Sequence, residues 1–380
     1  MNSEILIIGG GVIGLALARR LKKSGGGKIT ILERGKAGRE ASFAAAGMLA
    51  PQAETDKLDD FFYFCNESNK LYPQFAAELL DETGIDIELD RAGTLYLAFS
   101  DEDVREINRR YVWQKGAGLA IEYLTAEEIR RNEPFVSPDV REGLFFPNDR
   151  QVENRKLLLA LQKFAALNAI QIVENAEVKN LIVQNGKATG AETGNGVFSA
   201  QTIILTTGAW TSLVKVNDFD LPLKVRPIRG QMLSFQAAKR FFRHVVYSPR
   251  GYIVPRLDGR ILTGATVEDV GFDKSVTEAA IDFLLEHALE IAPSLANLEI
   301  TDKWSGLRPF AAHALPVLGA VPGAENLFAA TAHYRNGILL APLTAETLAG
   351  KILKDVESRY LQIFSPVRNQ ESRVRSQEVG

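Results

Sequence analysis

Glu4-Ile5-Leu6-Ile7-Ile8-Gly9-Gly10-Gly11-Val12-Ile13-Gly14 is the stretch on which the reading of this chain turns. It opens as a short apolar run, the pattern of a parallel strand buried on both faces. Gly9, Gly11 and Gly14 fit G-x-G-x-x-G. Val12–Lys23 follows as a helix with Ile13, Leu17 and Leu21 on one face, stopped by Ser24-Gly25-Gly26-Gly27. Lys28–Leu32 is a second strand, and Glu33 ends it, 19 positions after Gly14. In a β-α-β unit each part has a task. Gly9 permits the tight turn, Gly11 lets the backbone approach a pyrophosphate, and Gly14 lets helix and strand pack closely. The helix start at Val12 and Ile13 offers N–H groups and a positive dipole end to phosphate. Glu33 can accept hydrogen bonds from a ribose and repels a 2′-phosphate, which argues against NADP. The fingerprint does not choose between FAD and NAD. It occurs once, so a second dinucleotide fold that takes hydride from NAD(P)H is not expected, and the reducing equivalents come from the substrate.

The rest of the chain is ordinary globular material. Its 380 residues suit two domains, or one dinucleotide fold with a large insertion. Hydrophobic residues make up 46% and charged residues 24%, enough for a sizeable core. A net charge of −3 gives no reason to expect nucleic acid or an anionic membrane as partner. The single cysteine, Cys65, excludes an intrachain disulfide and a cysteine metal cluster and fits a reducing compartment. No signal-like or spanning apolar run is seen, so a cytoplasmic location is expected.

Asp56 to about Glu82 has helical periodicity, and its aromatic run Phe61-Phe62-Tyr63-Phe64 reads as core packing. Ile85–Leu89 and Thr94–Phe99 alternate around Asp90-Arg91-Ala92-Gly93 and suggest a hairpin. Ser100 before Asp101, and Thr125 with Glu128, mark two helix starts. Asn154–Leu167 is a further helix. Short strands are expected at Ile170–Val173, Glu177–Val183, Lys187–Glu192, Val197–Ala200 and Thr202–Leu205. Residues 224–308 read as antiparallel strands with one helix near Thr277–Ile291. Asn326–Ala330 returns to a buried strand, and Gly337–Lys354 is the last helix.

With the nucleotide site placed, three more segments become recognisable. Arg39-Glu40-Ala41-Ser42-Phe43-Ala44-Ala45-Ala46-Gly47-Met48-Leu49-Ala50-Pro51 resembles the stretch after the second strand in the D-amino-acid oxidase and sarcosine oxidase superfamily. Thr202-Ile203-Ile204-Leu205-Thr206-Thr207-Gly208-Ala209-Trp210 resembles its second FAD motif. Ala332-His333-Tyr334-Arg335-Asn336-Gly337-Ile338-Leu339-Leu340-Ala341-Pro342 resembles its C-terminal flavin-contacting turn. Together they span about residues 4–355. In combination, Gly251-Tyr252-Ile253-Val254-Pro255-Arg256, Trp304-Ser305-Gly306-Leu307-Arg308-Pro309 and His333-Tyr334-Arg335-Asn336-Gly337 are most similar to the glycine oxidases of that superfamily, which feed an imine of glycine into thiazole synthesis for thiamine.

The resemblance implies an α/β chain: a Rossmann-like FAD-binding domain with an inserted antiparallel-sheet α+β substrate domain. The FAD domain is expected over 1–85, 145–223 and 324–364, the substrate domain over 86–144 and 224–323, and a disordered tail over 365–380. FAD is implied as the cofactor, held by Gly9, Gly11, Val12, Ile13, Gly14, Glu33 and Arg34. Ala41, Ser42, Ala45, Ala46, Gly47 and Met48 follow, then Val178 at the adenine. Thr207, Gly208 and Trp210 belong to the second motif; His333, Arg335, Asn336, Gly337, Ile338 and Leu339 belong to the last turn. Arg308 is implied to hold a substrate carboxylate, Tyr252 to orient it and Arg335 to line the same pocket. A planar guanidinium fork suits a carboxylate because it fixes angle as well as distance.

Two departures bear on specificity and attachment. Val267 stands where the family pattern has methionine, so larger amino acids and N-alkyl glycines stay open as substrates. Cys65 lies far from Trp304-Ser305-Gly306, so FAD is expected to be non-covalent. His244, His287 and His313 lack ligand-spaced partners, and no metal site is expected. The implied partners are a small amino acid and O2, with homo-oligomers, often tetramers, common in the family. The competing readings are a D-amino-acid dehydrogenase that passes electrons to a quinone, a sarcosine-type oxidase, and a flavin-binding module without catalysis.

Overall fold

The computed structural model describes residues 2–217, 219–221 and 223–367; the expected disordered tail lies outside the described residues from 368 onward. The opening β-α-β unit forms as strand Asn2–Ile8, helix Val12–Lys23 and strand Ile29–Leu32. Five parallel strands make the centre of the first sheet. In spatial order they are Gln171–Val173, Ile29–Leu32, Asn2–Ile8, Gly196–Leu205 and Leu327–Thr331. The chain leaves the first strand to one side and later returns on the other. The C-terminal end of Asn2–Ile8 is therefore a switch point, where open α/β sheets bind ligands.

The continuous apolar run has a direct structural cause. Ile5 and Ile7 face a core shared with helices Val12–Lys23, Asp60–Thr83, Asn154–Leu167 and Gly337–Lys354. Leu6 and Ile8 face the opposite core, with Leu181, Phe198 and Leu223. That second face is covered by a meander, Val178–Gln184, Lys187–Thr193 and Gly196–Leu205. The two strands expected at Val197–Ala200 and Thr202–Leu205 are one. The Phe61–Phe64 run packs inward in part: Phe62 and Phe64 are buried, and Phe64 meets Tyr360 and Phe364. Among the described residues no helix is long and apolar enough to cross a membrane.

Among the described residues the second sheet has eight strands, in the order Glu299–Phe310, Arg226–Gln236, Arg260–Gly264, Gly251–Pro255, Val245–Ser248, Thr94–Ala98, Glu142–Phe146 and Glu122–Thr125. All neighbours are antiparallel except Val245–Ser248 beside Thr94–Ala98. The hairpin expected from Ile85–Leu89 does not form. Ile87 is fully buried in the helical core, so burial overrides local alternation, and only Asp90 bridges, to Gln151. Both expected helix starts are reciprocal capping boxes, Ser100 with Asp103 and Thr125 with Glu128. Val317–Ala320 joins the first sheet, ahead of the boundary read at 324, and Glu142–Phe146 joins the second, across the one read at 145.

The second sheet is pressed against helix Ala41–Ala44 at a glycine. A Cβ on Gly306 would lie 2.5 Å from Ala44 Cβ, so only glycine lets strand Glu299–Phe310 approach helix Ala41–Ala44. Two residues away, Trp304 Nε1 donates to Ala44 O at 3.0 Å.

Candidate active site

A cavity of about 640 Å³ begins at the switch point and ends against the second sheet. At its start the backbone is fixed by Thr206, whose hydroxyl donates to Gly9 O at 2.7 Å. Gly9 has φ +112°, and a Cβ there would lie 2.4 Å from Thr206 O. A Cβ on Gly14 would lie 2.0 Å from Gly9 O. Both glycines are required by the protein's own packing. Gly11 is different: its φ is −75°, and a Cβ would meet only Ser42 Oγ, at 3.3 Å. Space is kept open at Gly11 that the fold itself does not use. Gly11, Val12 and Ile13 line the cavity there, and the helix they open has no acidic residue in its first turn.

From these amides one arm of the cavity runs to Glu33, Arg34, Ala176 and Val178. Glu33 accepts from Gly10 N at 2.8 Å and Gly35 N at 2.9 Å, while burial raises its carboxyl above the usual range. Arg34 stacks on Trp210 at 4.5 Å. Thr207 and Gly208 close this arm. The other arm passes Ala41, Ser42, Ala45, Ala46, Gly47 and Met48. Ser42 Oγ accepts from Val12 N at 3.0 Å, tying this loop to the helix start.

The far end is built by the second sheet and the last turn. Tyr252 and Arg308 reach it from strands Gly251–Pro255 and Glu299–Phe310. The Arg308 guanidinium lies over Gly230, where a Cβ would come within 2.2 Å of Nη2, and its Nη1 donates to Thr266 O at 3.0 Å. Tyr334 N donates to Pro309 O at 3.0 Å, which brings Arg335 beside Arg308. Ala332 and Tyr334 hold φ of +59° and +47°, an uncommon pair of left-handed residues next to the cavity. His333 lines the wall, and burial holds it neutral, its pKa down to about 3; its Nε2 lies 3.0 Å from Thr344 Oγ1. Gly337 and Ile338 open helix Gly337–Lys354 against the cavity, again with no acidic residue in the first turn.

Three sequence-derived residues stand off the wall. Gly14 serves helix–strand packing, Asn336 is the cap residue of the last helix, and Leu339 is buried with its carbonyl accepting from Ser68 Oγ at 2.6 Å. Val267 also lies outside. It is 60% exposed and belongs to a neighbouring cavity of about 600 Å³ that shares Tyr252 and Arg335 as walls. Cys65 is buried in the helical core and does not line the cavity.

Sequence reasoning missed Arg256 and Glu54. Arg256 ends the quoted Tyr252–Arg256 motif without an assigned role. It is buried and donates to Ala46 O at 2.7 Å, Val152 O at 2.8 Å and Asn154 Oδ1 at 3.1 Å, so one guanidinium holds the cavity-lining loop Ala45–Met48 to helix Asn154–Leu167. Arg256→Leu should lower unfolding stability by about 3–5 kcal/mol, because buried carbonyls lose their donors; denaturant melts of the two proteins check this, and a difference within error removes the clamp.

Glu54 follows a turn pinned from below: buried Asp149 accepts from Gln52 N and Ala53 N, both at 3.3 Å. Burial pushes the Asp149 carboxyl up to about 8 despite those bonds. The folded chain therefore keeps a proton that the unfolded chain loses near 4. Stability falls as pH rises from about 4 to about 8 on this account, and Asp149→Asn should flatten that part of the Tm–pH curve. An unchanged slope would show that Asp149 ionises normally.

The family described as FAD dependent oxidoreductase (DAO) matches residues 4–351. The bifunctional protein ThiO/ThiG of Trichormus variabilis is 37% identical over 96% of this chain. The chain spans about half the length of that relative, 55%. A glycine oxidase of Pseudomonas aeruginosa is 33% identical, with 92% of this chain and 94% of the relative covered. The crystal structure of glycine oxidase from Geobacillus kaustophilus superposes with a TM-score of 0.91 at 33% identity, covering 97% of this chain and 99% of that one.

Proposed function

The chain belongs to the FAD dependent oxidoreductase family, and from that premise we propose that it oxidises the Cα–N bond of a small amino acid, glycine first, to an imine. The observation that carries the reading is the far end of the cavity, where Arg308 is laid over Gly230 beside Tyr252 and Arg335. The residues fit FAD: Gly11 keeps a Cβ-free approach at a helix start, Glu33 lines the same arm of the cavity, where it would accept from a ribose, and two helix starts without acidic first turns face the cavity. When bound, FAD would supply the hydride acceptor and the route by which the electrons reach O2.

The protein's part is placement. Nη1 of Arg308 is tied back to Thr266 O, which aims the rest of the fork into the cavity for a carboxylate. Tyr252 is buried, packed under Tyr247 with ring centroids 6.2 Å apart, and borders the same carboxylate position. Holding Cα at near-attack distance is worth up to roughly 7–11 kcal/mol of barrier. Ala45, Ala46 and Met232 give this part of the cavity an apolar wall, which would limit water at the reacting carbon.

The test is FAD-loaded protein with glycine under air. Hydrogen peroxide, ammonia and glyoxylate should appear in equal amounts. Almost no peroxide, with turnover restored by a quinone, favours the dehydrogenase; a panel of sarcosine and D- and L-amino acids ranks the substrates. A role in thiazole synthesis for thiamine is proposed from the resemblance to glycine oxidases, and a thiamine requirement on gene deletion is the expected phenotype. Self-association is supported by the exposed apolar residues Val267, Val270, Phe272 and Val276, and a tetramer is proposed from the family resemblance alone; a monomer in light scattering contradicts both.

A further inference from the structure

Among the described residues five glutamates line the cavity, and four are engaged away from its far end. Glu33 holds the amides of Gly10 and Gly35, Glu177 faces Arg34, Glu192 accepts from Asn180, and Glu40 pairs with Lys274. Glu54 instead shares the far end with Tyr252, Arg308 and Arg335. Its Oε1 lies 4.0 Å from Arg335 Nη2, and its side chain is 18% exposed, on the cavity side. Around it stand Arg335 and Arg308, Tyr247 and Tyr252, with Asp149 and Cys65 behind.

An amino acid arrives as a zwitterion, with one group for a guanidinium and one for a carboxylate. Its ammonium nitrogen has no lone pair to drive departure of hydride from Cα. With the substrate carboxylate on Arg308, Glu54 is the anion left at that end. We propose that Glu54 receives the substrate ammonium and takes one proton from it. An N–H bond breaks, its electron pair stays on nitrogen, and the proton joins a Glu54 carboxylate oxygen. Two opposite charges become a neutral amine and a neutral acid inside a dry site. Burial raises the Glu54 carboxyl against the pull of Arg335 and Arg308, which narrows the gap to the ammonium. The inference rests on the amino-acid reading above and adds the group that prepares the substrate.

The experiment compares wild type, Glu54→Gln and Glu54→Asp, each FAD-loaded. Anaerobic flavin reduction by glycine is followed across pH, and glycolate, which has the carboxylate but no ammonium, is titrated by its perturbation of the flavin spectrum. Glu54→Gln should reduce flavin at least about 100-fold more slowly at neutral pH. The deficit should shrink about tenfold per pH unit toward the alkylammonium range, about 10, where the amine is already neutral. Glycolate affinity should stay within about twofold, and Glu54→Asp should keep the wild-type pH profile within about tenfold in rate. A deficit equal at every pH, or a matching loss of glycolate binding, overturns the proposal, as does a Gln variant that reduces at the wild-type rate. Should the Gln variant not fold, an Asp variant with an altered pH profile overturns it alone. Wild type that glycine does not bleach sinks the amino-acid reading itself, and the Glu54 proposal with it.

Discussion

A Gly11→Val protein is expected to fold and to purify without flavin. The expectation comes from the contrast among the three fingerprint glycines. Side chains at Gly9 or Gly14 collide with the protein's own backbone at 2.4 and 2.0 Å, so those variants would fail for structural reasons. At Gly11 the backbone angles suit any residue, and the nearest atom is the hydroxyl of Ser42 at 3.3 Å, which need shift only a few tenths of an ångström at some cost to its bond from Val12 N. The added methyls would point into the space where the proposed pyrophosphate is expected to meet the first-turn amides. The loss in FAD affinity should be at least about 1,000-fold, roughly 4 kcal/mol. Circular dichroism should show native secondary structure in a colourless protein, with Tm lowered only by the lost ligand stabilisation. A yellow Gly11→Val protein would place the diphosphate elsewhere.

The second large effect belongs to Arg308. Arg308→Ala should keep the flavin spectrum, because no described contact of Arg308 reaches the Gly11 end of the cavity. It should raise KM for glycine on the order of 100- to 1,000-fold, about 3–4 kcal/mol, the usual cost of removing one partner of a desolvated charge pair. Arg308→Lys restores charge without the planar fork and should recover only part of this. Gly230 offers a steric test of the same idea: Gly230→Ala pushes a methyl into the guanidinium and should mimic the alanine variant with Arg308 still present. An unchanged KM in Arg308→Ala removes it from the substrate site.

Much of this was legible in the sequence because it depends on local pattern. The run Glu4–Ile8 has no polar alternation because both of its faces are buried, and that alone announces a parallel strand. The capping boxes at Ser100 and Thr125 and the extents of helices Val12–Lys23, Asn154–Leu167 and Gly337–Lys354 follow from propensity and breakers. The hairpin at Ile85–Leu89 misled because alternation reports a half-buried surface and not its partner. The pairing of Val245–Ser248 with Thr94–Ala98 spans some 150 residues and has no local signal.

The candidate site divides along the same line. Gly11, Glu33 and the Tyr252 and Arg308 segments carry recognisable spacing. Glu54 and Arg256 do not announce themselves. A glutamate in Gln52-Ala53-Glu54-Thr55 looks like any surface carboxylate until Asp149, nearly a hundred residues away, pins the turn beneath it. An arginine after a strand looks solvent-facing until the Ala46 carbonyl is found beneath it. Both depend on residues distant in sequence, which one chain read alone cannot pair.

One measurement bears most directly on the claim that this cavity seats FAD beside a guanidinium-anchored amino acid. The protein is loaded with FAD, made anaerobic and mixed with glycine while flavin absorbance is followed. Bleaching that saturates with glycine and is abolished at the same concentrations in Arg308→Ala is the result this account predicts. A protein that binds no flavin, or bound flavin that glycine and the other amino acids of the panel leave fully oxidised, would contradict it.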